Sequence, residues 1–198
     1  MNRMKQLLGA FLFMYILAGT AYAQVMPEGT DYYVEDFKWY ITIPDQFAVV
    51  EPLEWDRLKN DSEAAVEKTT GEKVVNLAKT VLAFKSSDYN YFESNWQPFD
   101  TLRGDYRLSC QAVNQALYET FRTQAPEAKI DTSSTTQMIS GLQFQKFVVD
   151  MELPNGYALR AYMFSRLFGD REFSVNLFYL DGKQGNLMMN AWLNSTFE

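Results

Sequence analysis

Three apolar-alternating runs lie end to end near the C-terminus and constrain the fold more than any other feature. They are "LQFQKFVVDMEL" (142–153), "YALRAYMFSRLF" (157–168) and "REFSVNLFYL" (171–180). Turn dipeptides, Asn155-Gly156 and Gly169-Asp170, separate them, so the segment predicts consecutive antiparallel strands. Both positions of Asn155-Gly156 accept positive φ, which suits a tight hairpin turn. In the last run Phe173, Val175, Leu177 and Tyr179 alternate strictly, the period of a strand with one face on a core. In the first, Leu142 and Phe144 hold one phase while Phe147, Val149 and Met151 hold the other. That shift predicts either a bulge near Gln145 or burial of both faces. Large apolar groups on both phases of 157–180 favour a sheet covered on each side.

Upstream, "FKWYITIP" (37–44) alternates Phe37, Trp39, Ile41 and Ile43 until Pro44 stops it, a strand. "DQFAVVEPLEW" (45–55) reads as irregular, with Phe47, Leu53 and Trp55 over a core edge. Asn60 or Asp61 caps a helix through residues 62–70, which 72–80 continues. "TVLAFK" (80–85) and "YFESNWQPF" (91–99) form a hairpin with a longer loop at "SSDYN". Asp105 caps the clearest helix: Ala112, Val113, Ala116, Leu117 and Phe121 make its apolar stripe, and Pro126 closes it. "EAKIDTSSTTQMIS" (127–140) is an edge strand or loop, Asp181-Gly182 breaks the last long strand, and "NLMMNAWLN" (186–194) has helical spacing. The pattern is an α+β sandwich in one domain over residues 37–198. "QVMPEGTDYYVED" (24–36) has Pro, Gly and carboxylates without a period and reads as a mobile lead-in.

The N-terminus reads as an export signal. Arg3 and Lys5 precede the apolar "LLGAFLFMYILAG", and "TAYA" places Ala21 and Ala23 before Gln24. Residues 1–23 are thus expected to be removed near Ala23/Gln24, leaving a periplasmic or secreted protein. The run is shorter than the roughly 20 apolar residues of a bilayer span, and no membrane span is expected in the mature chain. Those 23 residues hold two of the 18 basic and none of the 25 acidic residues, so 16 cations face 25 anions in the remainder, a net charge of −9. Such a chain has no electrostatic footprint for nucleic acid. A single cysteine, Cys110, excludes an intramolecular disulfide, and 47% hydrophobic with 16% aromatic residues must supply the stability instead.

With no histidine at all, Ser-His-Asp and Cys-His catalysis are excluded, and most zinc and copper sites with them. Nothing activates Cys110, so it reads as a packed thiol. No glycine-rich phosphate cradle occurs, and no cofactor or metal is implied. "DYNYFE" (88–93) offers Asp88, Asn90 and Glu93 but lacks the glycine and span of a calcium loop; a solvated turn explains it. What remains is aromatic surface. Tyr89, Tyr91, Trp96 and Tyr162 are the candidates for contact with a partner or ligand. Phe92, Phe164 and Phe178 fit the core better, and Trp96 fits it as well.

This order of elements resembles the Mog1/PsbP-like superfamily. The features that carry the likeness are "WYITIPDQF", the pair "VLAFK" and "YFESNWQPF", and the helix before Ala125-Pro126. After them "ISGLQFQKFVVDMEL" leads through "NGYALRAYMF" to "REFSVNLFYL" and a closing helix ending in "NSTF". The resemblance spans residues 37–198 and implies a three-layer α/β/α sandwich with a central antiparallel sheet. It also implies a role in binding: the superfamily holds a partner of a small nuclear GTPase, an extrinsic photosynthetic subunit and exported bacterial proteins. The expected function is that of an exported, non-enzymatic binding module for a protein or envelope component. The alternatives are a carrier or sensor of a small apolar or aromatic ligand held between sheet and helix, and a carboxylate-dependent hydrolase.

Overall fold

The computed structural model describes residues 29–57, 77–100, 102 and 104–198. The export segment, and the helix after Asn60 or Asp61, lie outside the described residues. The long alternating runs become strands of a seven-stranded antiparallel sheet. It contains β3 (Ala48–Val50), β4 (Lys79–Ser87), β5 (Asn90–Pro98), β6 (Lys129–Ile139), β7 (Leu142–Glu152), β8 (Ala158–Phe168) and β9 (Arg171–Tyr179), in the order β3-β4-β5-β9-β8-β7-β6. A second, three-stranded sheet consists of β1 (Thr30–Val34), β2 (Trp39–Ile43) and β10 (Thr196–Phe197), with β2 in the middle. The helices are α1 (Tyr106–Gln124) and α2 (Gly182–Leu193), beside a helical segment at 52–57. The fold is α+β with antiparallel sheets. Among the described residues no helix is long and apolar enough to cross a membrane.

Each helix starts where an aspartate satisfies its first amides. Asp105 accepts from the Leu108 amide at 2.9 Å and Asp181 from that of Lys183 at 2.7 Å. Leu117 and Phe121 of α1 then pack on Phe147, Val149, Met151, Leu159, Ala161 and Phe178. The opposite face of the large sheet meets both α2 and the small sheet. There Trp39, Trp192, Phe144 and Phe164 are all at most 1% exposed. Phe197 of β10 stacks 6.1 Å from Trp39 and 5.5 Å from Phe168, and lies 5.7 Å from Phe144, tying the small sheet to the large one. This covering layer is therefore mixed, strand as well as helix, where helices alone were expected.

Other differences follow from turn chemistry and period. β7 pairs with β6 and β8 without any slip in register, so its change of phase reflects burial of both faces and not a bulge at Gln145. Asn155-Gly156 does not make a tight two-residue turn. Pro154 sets the first corner, the Gly156 amide donates to the Leu153 carbonyl at 2.9 Å, and only Gly156 takes positive φ, at 84°. The two-residue turn with both φ positive is Ser140-Gly141, at 50° and 77°, joining β6 to β7. Residues 30–36 are structured: Tyr32 and Val34 pack on the core while β1 pairs with β2 along its full length. Backbone pairing and two inward side chains outweigh the carboxylates that made this stretch read as a lead-in. Leu53 is 75% exposed and stays out of the core, whereas Phe47 and Trp55 are buried in it.

Candidate functional site

Pairing to β2 places its neighbours' side chains in register and builds a surface on the outer face of the small sheet. Trp39, Ile41 and Ile43 point inward, so Tyr40 and Thr42 must point out. Tyr33 is the register partner of Tyr40 and Asp31 that of Thr42; Thr196 faces Tyr40 from the other side. The two tyrosine rings consequently stack, with centroids 4.2 Å apart and planes at 29°. Thr42 donates its hydroxyl to Asp31 Oδ1 at 2.7 Å, which fixes the carboxylate beside the rings. Asn194 and Glu198 complete an open groove of about 480 Å³ with Asp31, Tyr33, Tyr40, Thr42 and Thr196.

Electrostatics tune one end of this groove. Lys38 bonds and ion-pairs with Glu35. The Glu35 carboxyl is held below its ordinary range by that bond and by a bond with Tyr33. Burial, and then the neighbouring Glu35, push the Tyr33 phenol up, so it remains a neutral hydrogen-bonding group at physiological pH. The groove holds phenols, carboxylates, an amide and hydroxyls. These groups stack, accept and donate hydrogen bonds, and attract cations; none is an activated nucleophile.

The aromatics singled out from the sequence are not gathered in one place. Tyr89 is 51% exposed on the turn between β4 and β5. Tyr91 and Trp96 sit five positions apart on β5, an odd interval, and so fall on opposite faces. Tyr91 stacks on Phe178 at 5.0 Å and lies 5.4 Å from Trp55. Its phenol is pushed up by burial and then by Glu93. Trp96 is half-buried, with Lys79 Nζ 5.2 Å and the Arg171 guanidinium 5.8 Å from its ring. Tyr162 stacks on Tyr179 at 6.1 Å on the face that carries Trp96. The two oppose Leu177 and Phe173, four residues apart along β9. Phe92, Phe164 and Phe178 are core residues.

A buried polar strip lies on the α1 face of the large sheet. Glu93, Asn95 and Asn176 are at most 9% exposed, and Asn95 Nδ2 reaches Glu93 Oε1 at 3.4 Å. Nearby, Gln97 Nε2 donates to Glu172 Oε2 at 2.7 Å, and Cys110 Sγ lies 3.7 Å from Ser165 Oγ. Burial raises the Cys110 thiol, which keeps it protonated and unreactive. The residues of "DYNYFE" are dispersed: Asp88 pairs with Lys85, Asn90 Oδ1 accepts from the Leu180 and Asp181 amides, and Glu93 is buried. Among the described residues, no group of three or more acids or cysteines is placed to hold a metal ion.

The groove escaped sequence reasoning because its walls come from 31–42 and 194–198. Only the doublet Tyr32-Tyr33 hinted at it, within a stretch that looked irregular.

Fold and site together define a small α+β protein with antiparallel sheets and an open aromatic groove. The fold is that of PsbP. The solution structure of cyanobacterial PsbP (CyanoP) from Synechocystis superposes with a TM-score of 0.53 over 93% of this chain and 99% of that one. At 6% sequence identity the likeness is one of fold. No protein-family model matches the chain, and no curated protein sequence matches it.

Proposed function

We propose that the protein is an exported, non-enzymatic binding module that docks a basic or aromatic segment of another envelope protein onto the Tyr33–Tyr40 groove. The observation that carries this reading is the exposed tyrosine stack rimmed by Asp31 and Glu198, at 38% and 39% exposure for the two rings. Paired tyrosines supply contact area at low entropic cost, and neighbouring carboxylates attract Lys or Arg. Export rests on the Arg3, Lys5, apolar run and Ala21-Tyr22-Ala23 pattern. Membership of the Mog1/PsbP-like superfamily, with its layered sandwich, is supported by the order of the sheet motifs and by the fold likeness.

A ligand carrier would need an enclosed space between sheet and helix, because small-molecule sites bury most of their ligand. That space is filled by Trp39, Trp192, Phe144 and Phe164. The open groove suits a protein segment better. The test immobilises wild-type protein and the Tyr33→Ala/Tyr40→Ala variant and exposes both to envelope extract of the native host. The wild type should capture a partner that is released by salt and is lost from the variant. Equal capture by both, or a captured small molecule in place of a protein, would overturn the reading.

A further inference from the structure

β6 is an edge of the large sheet, eleven residues long, paired with β7 in unbroken register. Edge strands usually carry a proline, a bulge or a central charge that blocks further pairing. β6 has none of these. Its charges, Lys129 and Asp131, lie at one end, and residues 132–139 read "TSSTTQMI". Residues 131–136 are all exposed.

The two-residue turn at Ser140-Gly141 makes Ile139 and Leu142 a hydrogen-bonded pair, because the residues flanking such a turn exchange both bonds. Alternation then directs the odd-numbered amides of β6 at β7 and the even-numbered ones, from Ile130 to Met138, away from the sheet. Among the described residues, the backbone of 130–138 makes backbone bonds only to β7, and of its outward groups the Met138 carbonyl accepts from the exposed Gln137 Nε2 at 3.3 Å, an amide that a pairing strand displaces.

We infer that this edge pairs with a second copy of itself, antiparallel about a two-fold axis through Ser134, to form a sheet continuous across a homodimer. A two-fold axis normal to the sheet matches even residues with even ones, so the outward-facing amides meet one another. Centring on Ser134 is the register that uses all eleven residues. On the α1 face it opposes Ile130 to Met138, Thr132 to Thr136 and Ser134 to itself. On the other face it opposes Lys129 to Ile139, Asp131 to Gln137 and Ser133 to Thr135. The hydroxyl run is thus chemically palindromic, and like charges never meet. Met138, 55% exposed in the single chain, gains an apolar partner in Ile130. The two Lys129 residues end about 34 Å apart, several Debye lengths at physiological salt.

Five outward amides from each copy give about ten backbone hydrogen bonds, the usual complement of a specific interface. α1 lies over β6 and β7, with Asn114 Nδ2 bonded to Ser134 Oγ at 3.2 Å. Strand spacing places the two α1 helices roughly 10–14 Å apart, at or beyond normal helix packing, so they do not clash.

The test is sedimentation of the purified protein over a concentration series, with three variants. Ser134→Pro removes an outward amide on the axis, which an edge strand tolerates in the folded monomer. It should leave the circular dichroism spectrum native and abolish the dimer. Ser134→Lys and Ser134→Glu each place like charges opposite each other and should raise the dissociation constant more than tenfold. Mixing S134K with S134E should restore a dimer. A wild type that stays monomeric at several hundred micromolar, a dimer that survives S134P, or a mixture that does not pair would each refute the proposal.

Discussion

Gly185 is where the packing of α2 leaves no room for a single added carbon. A Cβ at this position would lie 2.5 Å from Cδ2, Cε2 and Cζ of the Tyr179 ring, where ordinary contacts begin at 3.4 Å. The ring has no retreat: Tyr179 is 6% exposed and stacks on Tyr162. The helix has none either, because Met188 and Trp192 anchor it with 0% exposure. Gly185→Ala must therefore open the helix–sheet contact by about 1 Å. Overpacking of this kind costs about 1–3 kcal/mol, and the better helix propensity of alanine offsets about 1 kcal/mol. The upper half of the overpacking range applies, since three atoms of a rigid ring are struck at once. A net destabilisation of about 1–2 kcal/mol should lower the melting temperature by roughly 2–8 °C. Gly182→Ala is the control, because its Cβ meets nothing within 4 Å in the same helix; it should be neutral or stabilising by up to about 1 kcal/mol. Paired urea and thermal melts decide the matter. If G185A melts at or above G182A, the close approach of α2 to Tyr179 is wrong.

Asp105→Ala removes the cap of α1 and should cost about 1 kcal/mol in urea denaturation, whereas Asp105→Asn should recover most of it. Stability should also fall at high pH. Burial, followed by Tyr162, pushes the Tyr179 phenol up to about 12, against an ordinary value of 10.0. The unfolded chain releases this proton first, so it binds fewer protons than the native state between pH 10 and pH 12. Stability is then full below pH 10 and declines through pH 12, by about 2–3 kcal/mol for this group. Tyr91 and Tyr106 are raised in the same direction, chiefly by burial. Ultraviolet titration should show these phenols ionising only as the protein unfolds, and a single transition near pH 10 for every tyrosine would contradict their burial.

Much of the large sheet could be read directly from the chain. Phe173, Val175 and Leu177 alternate because one face of β9 meets the double-tryptophan core, and Asp105 announces α1 because its carboxylate has amides to cap. The misreadings share a cause: local signals compete, and tertiary context chooses among them. Asn155-Gly156 is a strong turn signal, yet Pro154 sets the corner one residue earlier and Ser140-Gly141 supplies the tight turn. β1 and β10 are short, and each is a strand only because β2 lies beside it. The groove was illegible for the same reason. No periodicity links Asp31 and Tyr33 to Thr196 and Glu198; only the pairing to β2 does.

That arrangement also sets a timetable. The groove beside the tyrosine stack must wait for residues 196–198, since the two residues of β10 pair with β2, and the Glu198 amide bonds to the Lys38 carbonyl just before it, across some 150 positions of chain. During synthesis the chain passes through a stage in which the wide sheet can be complete while the groove lacks a wall and Trp39 lacks its lid, Phe197. Losing Thr196 and Phe197 would therefore strip the groove of a wall and Trp39 of its cover in the same stroke.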